Sequence, residues 1–322
     1  MRKILLTGGA GFIGSHIAEH LCRAFEGCEI VILDKMTYAA DFLNIIDLMT
    51  DGRVKFVVGD VCDYDLCLPL TQGCDVVIHA AAESHVDRSY GSSILFTRTN
   101  TLGTHTILEA CRIANVPRII HISTDEVYGE VLTGECNELQ TLNPTNPYSA
   151  SKAAAEMVVN GYRHSFKLPV ITVRANNIFG IRQYPEKLIP RAIMSLITGR
   201  KIPLHGSGTN VRHYLSVHDF VEALVLLIHN GRDFETYNVG SPDEYTNRFV
   251  VEKICNEFGA DLESNVIIVE DRPFNDRRYS ISWKKMSALG WRPRKRLLGE
   301  LPSIIAWYRK NTSYILKQKD ID

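Results

Sequence analysis

The chain has 322 residues, of which 45% are hydrophobic and 23% charged, and its formal net charge is -1. These values are typical of a globular protein and give no reason to expect a nucleic-acid partner or an acidic membrane surface. No apolar run approaches the roughly 18 residues that cross a bilayer. The eight cysteines form no Cys-x-x-Cys pair, which predicts reduced thiols in a cytoplasmic protein rather than a disulfide scaffold.

Short β-branched segments alternate with helical patterns from residue 3 to about residue 174. Strands are predicted at residues 4–6, 29–33, 54–58, 76–79, 118–122 and 170–173. Helices are predicted between them at residues 15–25, 93–114 and 147–166. Because parallel strands need crossover connections, which are usually helical, this alternation predicts the α/β class with a doubly wound parallel sheet.

The rhythm changes after Arg174, where segments richer in Pro, Gly and Asn separate the helical patterns. Helices are predicted at residues 186–198, 218–229, 248–258 and 301–310. A chain of 322 residues exceeds the usual size of one hydrophobic core. We therefore predict an NAD-binding Rossmann domain over residues 1–174 and a smaller, irregular lobe over residues 175–322 that mainly binds substrate.

A glycine-rich turn follows the first predicted strand, with the sequence Gly8-Gly9-Ala10-Gly11-Phe12-Ile13-Gly14. Gly8 permits the tight turn, Gly11 lets the backbone approach a pyrophosphate, and Gly14 allows the helix to pack closely on the strand. The N–H groups at the helix N-terminus suit that pyrophosphate. Asp34 ends the second strand, where its carboxylate can bond both ribose hydroxyls and would repel a 2′-phosphate. These features predict NAD rather than NADP.

Two loops after later strands extend the predicted cofactor site. Asp60-Val61 follows the third strand and is placed to meet the adenine. Ala80-Ala81-Ala82 follows the fourth, where small side chains let the cofactor lie against the backbone. No metal is predicted, because His16-Ile17-Ala18-Glu19-His20 has the spacing of a class of zinc protease but no third ligand is suggested.

The candidate catalytic pair is Tyr148 and Lys152, which stand four residues apart and share one helix face. Lys152 can bond the nicotinamide ribose, and its charge, with that of the oxidised nicotinamide, is expected to lower the pKa of Tyr148. Tyr148 is then a candidate base for an alcohol being oxidised. The segment Ser123-Thr124-Asp125-Glu126-Val127-Tyr128-Gly129 follows the fifth strand and should line the site, because ligands lie beyond the carboxyl ends of parallel strands.

Together these motifs resemble the extended short-chain dehydrogenases/reductases, and more narrowly the nucleotide-sugar 4,6-dehydratases. The resemblance is extended by residues 82–89, 146–152, 185–190 and 271–279. These segments span nearly the whole chain and occur in the family's order. One departure is Ile181, where family members often have Pro; it affects the shape of a loop and no catalytic role.

The resemblance implies a lyase that dehydrates a nucleoside-diphosphate glucose to its 4-keto-6-deoxy product, the first step towards deoxysugars such as rhamnose. Tyr148 would take the C4 hydroxyl proton as hydride leaves for NAD, with Thr124 or Ser123 helping to bind that oxygen. Glu126 would remove the C5 proton, and Asp125, held protonated, would donate to the departing C6 hydroxyl. Consecutive residues of a strand face opposite ways, so both carboxylates can serve only if the strand has ended by Asp125.

The resemblance also implies two binding sets. The cofactor-binding set is Gly8, Gly11, Phe12, Ile13, Gly14, Asp34, Lys35, Thr37, Asp60, Val61, Ala80, Ala82, Thr99, Tyr148, Lys152 and Ile178. The substrate-binding set is Ser84, Thr124, Asn177, Lys187, Leu188, Arg212, Asn247, Arg272 and Tyr279. The helices at residues 93–114 and 147–166 resemble the pair that forms a four-helix dimer interface in the family, which implies a homodimer.

Alternative functions stay open at this point. A 4-epimerase or a uronic-acid decarboxylase of the same fold would also use NAD, Tyr148 and Lys152, but neither needs an acid for a C6 hydroxyl. A catalytically inactive NAD-binding scaffold typically lacks the Tyr or the Lys. Between substrates, residues 210–215 and 272–279 look more like the UDP-glucose 4,6-dehydratases of plant rhamnose synthesis, which favours UDP-glucose over dTDP-glucose.

Overall fold

The computed structural model describes residues 1–50, Gly52 and residues 54–312. Its strands are β1 (Lys3–Thr7), β2 (Glu29–Asp34), β3 (Val54–Val58), β4 (Val76–His79), β5 (Ile119–Thr124), β6 (Val170–Ala175), β7 (Asn177–Phe179), β8 (Ile202–His205), β9 (Val211–Ser216), β10 (Thr236–Val239), β11 (Glu244–Thr246) and β12 (Val266–Val269). Its helices are α1 (Phe12–Ala24), α2 (Ile46–Met49), α3 (Tyr64–Thr71), α4 (Val86–Gly91), α5 (Ser93–Phe96), α6 (Gly103–Ile113), α7 (Pro147–Phe166), α8 (Leu188–Ile197), α9 (Val217–Asn230), α10 (Asn247–Glu257), α11 (Leu262–Asn265), α12 (Lys284–Ala288) and α13 (Leu297–Lys310).

The central sheet has seven strands in the order β10-β6-β5-β4-β1-β2-β3, and every neighbouring pair is parallel. Alternation along β1 sends Ile4 and Leu6 into the core shared with α1 and α9, and Leu5 into the core shared with α3, α6 and α7. Both faces are therefore covered by helices, as an all-parallel sheet requires. The predicted doubly wound α/β fold is confirmed.

One predicted helix is interrupted. Residues 93–114 form α5, a π-helical turn at Thr97–Leu102 and then α6. The turn contains Asn100, whose amide accepts from the Glu83 N–H at 2.9 Å and donates to the Glu83 carbonyl and the Ser151 hydroxyl at 3.0 and 2.8 Å. The sequence pattern predicted one continuous helix over residues 93–114, and it did not predict the π-helical turn.

The part of the chain after residue 174 contributes to both the large sheet and a second core. β10 is the seventh strand of the large sheet, and α9 packs against α1. The remaining strands form a three-stranded sheet, β11-β9-β7, and a two-stranded sheet, β12-β8, around a core that includes Ile193, Leu204 and Val250. The division of roles at residue 174 stays a prediction, and residues 313–322 of the second lobe lie outside the described residues.

Two composition arguments can be compared with the structure. All eight cysteines are free, and seven of them are buried, as the absence of paired spacing predicted. Within residues 1–50 and 54–312, no helix combines the length and apolarity needed to span a bilayer.

Candidate active site

One cleft along the carboxyl ends of the central strands collects nearly every predicted site residue. All members of the cofactor-binding and substrate-binding sets line it, together with four of the five predicted catalytic residues, Thr124, Glu126, Tyr148 and Lys152. The exception is Asp125, which lies behind the cleft wall. This clustering is geometric, and the role of each residue stays a prediction.

The glycine-rich turn has the shape that a dinucleotide requires. Gly8 has a φ of +74°, and a Cβ there would lie 2.8 Å from the backbone of Ala81. A Cβ on Gly14 would lie 2.0 Å from the Gly8 carbonyl oxygen. At Gly11 the nearest atom would be 3.6 Å away, so the protein's own packing does not demand this glycine. The space beside Gly11 is open to the cleft, and no side chain caps the N-terminus of α1 there, which fits a bound pyrophosphate.

Asp34 is oriented by backbone donors at the edge of the same turn. Its two carboxylate oxygens accept from the N–H groups of Ala10 and Met36 at 2.9 and 2.8 Å. Burial raises the pKa of Asp34, and these two hydrogen bonds oppose that rise. Each oxygen keeps a second acceptor position. The carboxylate therefore fits the two hydroxyls of an adenosine ribose.

A capping box places the catalytic pair. The Asn146 side chain accepts from the Ser149 N–H at 2.9 Å, and the Ser149 hydroxyl accepts from the Asn146 N–H at 3.2 Å. With Pro147 at the first helical position, this box fixes where α7 begins. Tyr148 then lies in the first turn and Lys152 one turn later, and both are buried at 8% and 4% exposure.

The protein groups do not lower the pKa of Tyr148, contrary to the expectation for Lys152. Burial raises this pKa, the charge of Glu126 raises it further, and a hydrogen bond with Thr124 only partly opposes the rise. The Lys152 ammonium donates instead to the Ile122 carbonyl at 2.6 Å, and burial lowers its own pKa to about 8. Of the two charges that were expected to lower the pKa of Tyr148, only that of the oxidised nicotinamide is left to favour the phenolate.

The two carboxylates after β5 occupy different environments. The strand ends at Thr124 and a 3-10 turn covers Asp125–Tyr128, so the geometric condition for both to serve is met. Asp125 is 2% exposed and accepts from Asn176 Nδ2 at 2.8 Å and from Thr124 Oγ1 at 3.3 Å. Burial and then the charge of Glu126 raise the pKa of Asp125 to about 7. Asp125 is therefore partly protonated at neutral pH.

Glu126 faces the cleft and has weaker ties to the protein. Its Oε2 accepts from Asn146 Nδ2 at 3.3 Å and from the Tyr279 hydroxyl at 3.4 Å. Asn146 therefore both starts α7 and contacts the second carboxylate. A carboxyl group that faces the cleft beside a buried carboxyl group whose pKa is raised is the arrangement expected of an acid–base pair.

A buried ion pair that sequence reasoning missed holds these elements together. Arg174 binds Glu156 through a contact of 2.6 Å between Nη2 and Oε2, with side chains 7% and 3% exposed. The Ser123 hydroxyl donates to Glu156 at 2.6 Å, and Arg174 Nη1 donates to the Tyr128 hydroxyl at 2.6 Å. α7, β5, β6 and the 3-10 turn thus share one network. The sequence offered one indication of this ion pair. Glu156 lies four residues after Lys152 and hence on the same helix face.

Replacing Glu156 by Gln is expected to lower the free energy of unfolding by about 3–5 kcal/mol, because it leaves the Arg174 charge buried without its partner. Urea unfolding followed by circular dichroism measures this change. The matched control is Asp233→Asn, which breaks the half-buried pair with Arg118 and should cost less than about 1 kcal/mol. Equal losses in the two variants would contradict the expectation.

The glycine-rich strand–turn–helix, Asp34 and the Tyr148/Lys152 pair at one cleft define an extended short-chain dehydrogenase/reductase. Comparison with known proteins agrees. A family model described as GDP-mannose 4,6 dehydratase matches residues 5–299. The chain therefore belongs to the nucleotide-sugar 4,6-dehydratase family.

Two curated relatives and one solved structure are similar to this chain over nearly its whole length. A trifunctional UDP-glucose 4,6-dehydratase/UDP-4-keto-6-deoxy-D-glucose 3,5-epimerase/UDP-4-keto-L-rhamnose-reductase of Arabidopsis thaliana is 44% identical over 97% of this chain, which spans about half (48%) of that relative. A dTDP-D-glucose 4,6-dehydratase of Dictyostelium discoideum is 39% identical over 98% of this chain and 83% of its own length. The solved structure of the dTDP-glucose 4,6-dehydratase DesIV from Streptomyces venezuelae, with NAD and TYD bound, superposes with a TM-score of 0.96 at 39% identity, covering 98% of this chain and 100% of DesIV.

Proposed function

We propose that this chain is a lyase that dehydrates a nucleoside-diphosphate glucose to the 4-keto-6-deoxy sugar nucleotide, with NAD as its bound cofactor. Membership of the 4,6-dehydratase family supports the reaction, and relatives solved with NAD support the cofactor. The observation that carries the proposal is the pair of carboxyls after β5. Asp125 is buried with a pKa of about 7, whereas Glu126 lines the cleft.

Each catalytic residue is proposed to carry out one step of the reaction. When bound, NAD supplies the chemistry of accepting a hydride from sugar C4 and returning it to C6. Tyr148 accepts the C4 hydroxyl proton, while Thr124 holds the C4 oxygen by a hydrogen bond. Glu126 removes the C5 proton, which the C4 ketone has made acidic, and gives a proton back to C5 when C6 is reduced. Asp125 gives its proton to the leaving C6 hydroxyl, a role that requires the side chain to turn from Asn176 towards the cleft.

Separate incubations with UDP-glucose, with dTDP-glucose and with a UDP-linked uronic acid, each followed by mass measurement, test the reaction. A product lighter by one water supports the dehydratase. A product of unchanged mass but altered sugar NMR spectrum would instead identify a 4-epimerase, and loss of carbon dioxide from a uronic acid would identify a decarboxylase. Failure to convert any sugar nucleotide would leave the inactive NAD-binding scaffold.

UDP-glucose is the proposed substrate, and we expect its kcat/KM to exceed that of dTDP-glucose by about tenfold. The relative that carries the UDP-glucose reaction is the more similar of the two curated relatives described above. Asn275 belongs to the segment 272–279, whose resemblance to UDP-glucose 4,6-dehydratases favoured UDP-glucose in the sequence analysis. Its side chain lines the cleft and accepts a hydrogen bond from Arg212 Nη2 at 3.1 Å. A site that bonds the ribose 2′-hydroxyl would be left with an unpaired polar group when dTDP binds. Side-by-side steady-state kinetics measure the ratio, and a preference for dTDP-glucose would reverse this assignment.

A homodimer is also proposed, formed by α7 and the helical segment from α5 to α6. Large apolar side chains are exposed on these helices, including Ile94 at 83%, Met157 at 53% and Phe166 at 52%, and together they could cover each other in a four-helix contact. Met157→Glu is expected to shift the mass measured by light scattering from dimer towards monomer. Ile268→Glu, at a side chain 58% exposed on β12, serves as the control and should leave the mass unchanged. A monomeric wild-type protein would contradict this proposal.

Two broader assignments belong with this function. The free and mostly buried cysteines support a cytoplasmic location. The distribution of the binding sets supports a division of roles near residue 174. The earlier part carries the cofactor set except Ile178, and the later part carries the substrate set except Ser84 and Thr124.

A further inference from the structure

An ion pair at the wall of the cleft joins two distant parts of the chain. Arg272 binds Asp87 of α4 side-on, through Nε to Oδ1 at 2.5 Å and Nη2 to Oδ2 at 3.0 Å. The two residues are 185 positions apart, and both line the cleft. A two-bond contact of this kind fixes the plane of the guanidinium as well as its position.

The side-on contact leaves the outer edge of the guanidinium available. Within residues 1–50 and 54–312, no protein group accepts a hydrogen bond from Arg272 Nη1. Lys187 also lines this cleft. Burial lowers the pKa of its ammonium, and the charges of Glu186 and Glu126 oppose that fall. The Lys187 ammonium donates to the Ser84 carbonyl at 2.8 Å. Two cations at one place on a cleft wall suit an anion with several oxygens, such as a diphosphate.

Asp87 is held in its ionised form. Its Oδ2 lies 3.1 Å from His85 Nε2, in addition to its two bonds with Arg272. Burial alone would raise the pKa of Asp87, but the contacts with His85 and Arg272 hold it well below its usual range. These contacts therefore favour the charged form of the carboxylate, which pairs with the guanidinium.

We propose that Asp87 is a positioning residue for substrate binding, which holds Arg272 with its free edge towards the diphosphate of the sugar nucleotide. This inference rests on the proposed function in taking a nucleoside diphosphate as the ligand of Arg272. An arginine side chain that is already ordered loses less conformational freedom when the ligand binds. The alternative is that the Asp87 carboxylate competes with the diphosphate for the guanidinium of Arg272. In that case, removing the charge of Asp87 would strengthen diphosphate binding.

The test compares two substitutions that each remove one tie between α4 and the segment around Arg272. Asp87→Asn removes the charge that orients Arg272 but keeps the size of the side chain. Tyr90→Phe removes the bond from the Tyr90 hydroxyl to the Phe274 carbonyl, 2.7 Å long, and leaves the ion pair intact. Calorimetric titration of the NAD-loaded protein with UDP and with UMP measures binding without turnover, and only UDP carries a diphosphate.

Asp87→Asn is expected to weaken UDP binding by about tenfold and UMP binding much less, and to raise the KM for the sugar nucleotide by about tenfold with little change in kcat. Tyr90→Phe should change these constants less than twofold. Tighter UDP binding by Asp87→Asn would show that Asp87 competes with the ligand and would overturn the proposal. Equal weakening by both variants, or equal weakening of UDP and UMP, would overturn it as well.

Arg272→Lys provides a second route that does not depend on the stability of the Asp87 variant. Lysine keeps the charge but cannot make the two-bond contact, so UDP binding should weaken, and adding Asp87→Asn in this background should have little further effect. Wild-type affinity for UDP in Arg272→Lys would overturn the proposal. These binding results are independent of the mass measurement, so a protein that binds UDP but releases no water would refute the dehydratase function alone.

Discussion

Asp125→Asn is expected to show reduced-nicotinamide absorbance on mixing with substrate, yet to form product about 10²–10⁴-fold more slowly than the wild type. In the proposed mechanism, oxidation at C4 depends on Tyr148 and precedes the loss of water, so it should survive the substitution. Asparagine keeps the size of the side chain and can still contact Asn176, but it has no carboxyl proton to give to the C6 hydroxyl. Stopped-flow absorbance and chemical quench measure the two stages separately.

Glu126→Gln is the matched comparison for this variant, because it alters the neighbouring carboxylate in the same way. It should also allow oxidation at C4, but it should slow the exchange of the C5 proton with solvent deuterium, which Asp125→Asn leaves in place. If Asp125→Asn gave no reduced cofactor at all, either the order of steps or the assignment of Asp125 would be wrong.

The same assignment predicts a pH dependence. Asp125 can donate only when protonated, and burial with the Glu126 charge raises its pKa to about 7. The loss of water should therefore be fastest below pH 7 and should slow as the pH rises through that value. The pH dependence of the decay of reduced-nicotinamide absorbance in a single turnover measures this limb. A rate that stayed constant from pH 6 to pH 8 would exclude an acid with this pKa.

Tyr148→Phe is expected to lower turnover by about 10²–10⁴-fold while NAD and substrate still bind. Phenylalanine preserves the buried ring, which contacts Phe96 at a centroid distance of 6.3 Å, but it removes the oxygen that the proposed mechanism assigns to accept the C4 hydroxyl proton. In contrast to Asp125→Asn, this variant should show no reduced-nicotinamide absorbance on mixing. Steady-state kcat and the stopped-flow trace together measure the effect.

A second tyrosine on the same helix supplies the control for this experiment. Tyr162 bonds Glu109 through its hydroxyl at 2.9 Å and does not belong to the residues that line the cleft. Tyr162→Phe also removes one phenolic oxygen from α7 and should keep its turnover. Near-normal turnover in Tyr148→Phe would remove Tyr148 from the role of redox base.

The sequence by itself determined the doubly wound α/β class and the residues at the ends of the first strands that line the cleft. Period-two and period-3.6 patterns specify strands and helices locally, and the glycine-rich turn needs a backbone that only those residues allow, as Gly8 and Gly14 illustrate. Parallel strands bring their carboxyl ends to one edge, so the residues that follow them must meet there. For that reason Gly8, Asp34, Asp60 and Ala80, which lie at or just after the ends of the first four strands, line one cleft. The substrate-binding set was implied by the family resemblance, and it lines the same cleft.

Only the tertiary structure decided which charged groups are partners and what their protonation is. Asp125 and Asn176 are 51 residues apart, and Asp87 and Arg272 are 185 apart, so no local spacing records either contact. The addition of β10 to the large sheet is likewise a long-range pairing. The pKa of Tyr148 depends on how far burial outweighs nearby charges, and Lys152 lies where its ammonium bonds a carbonyl instead of the phenol. A residue's type states which bonds it can make, but its solvent exposure and its partner arise only when distant segments pack together.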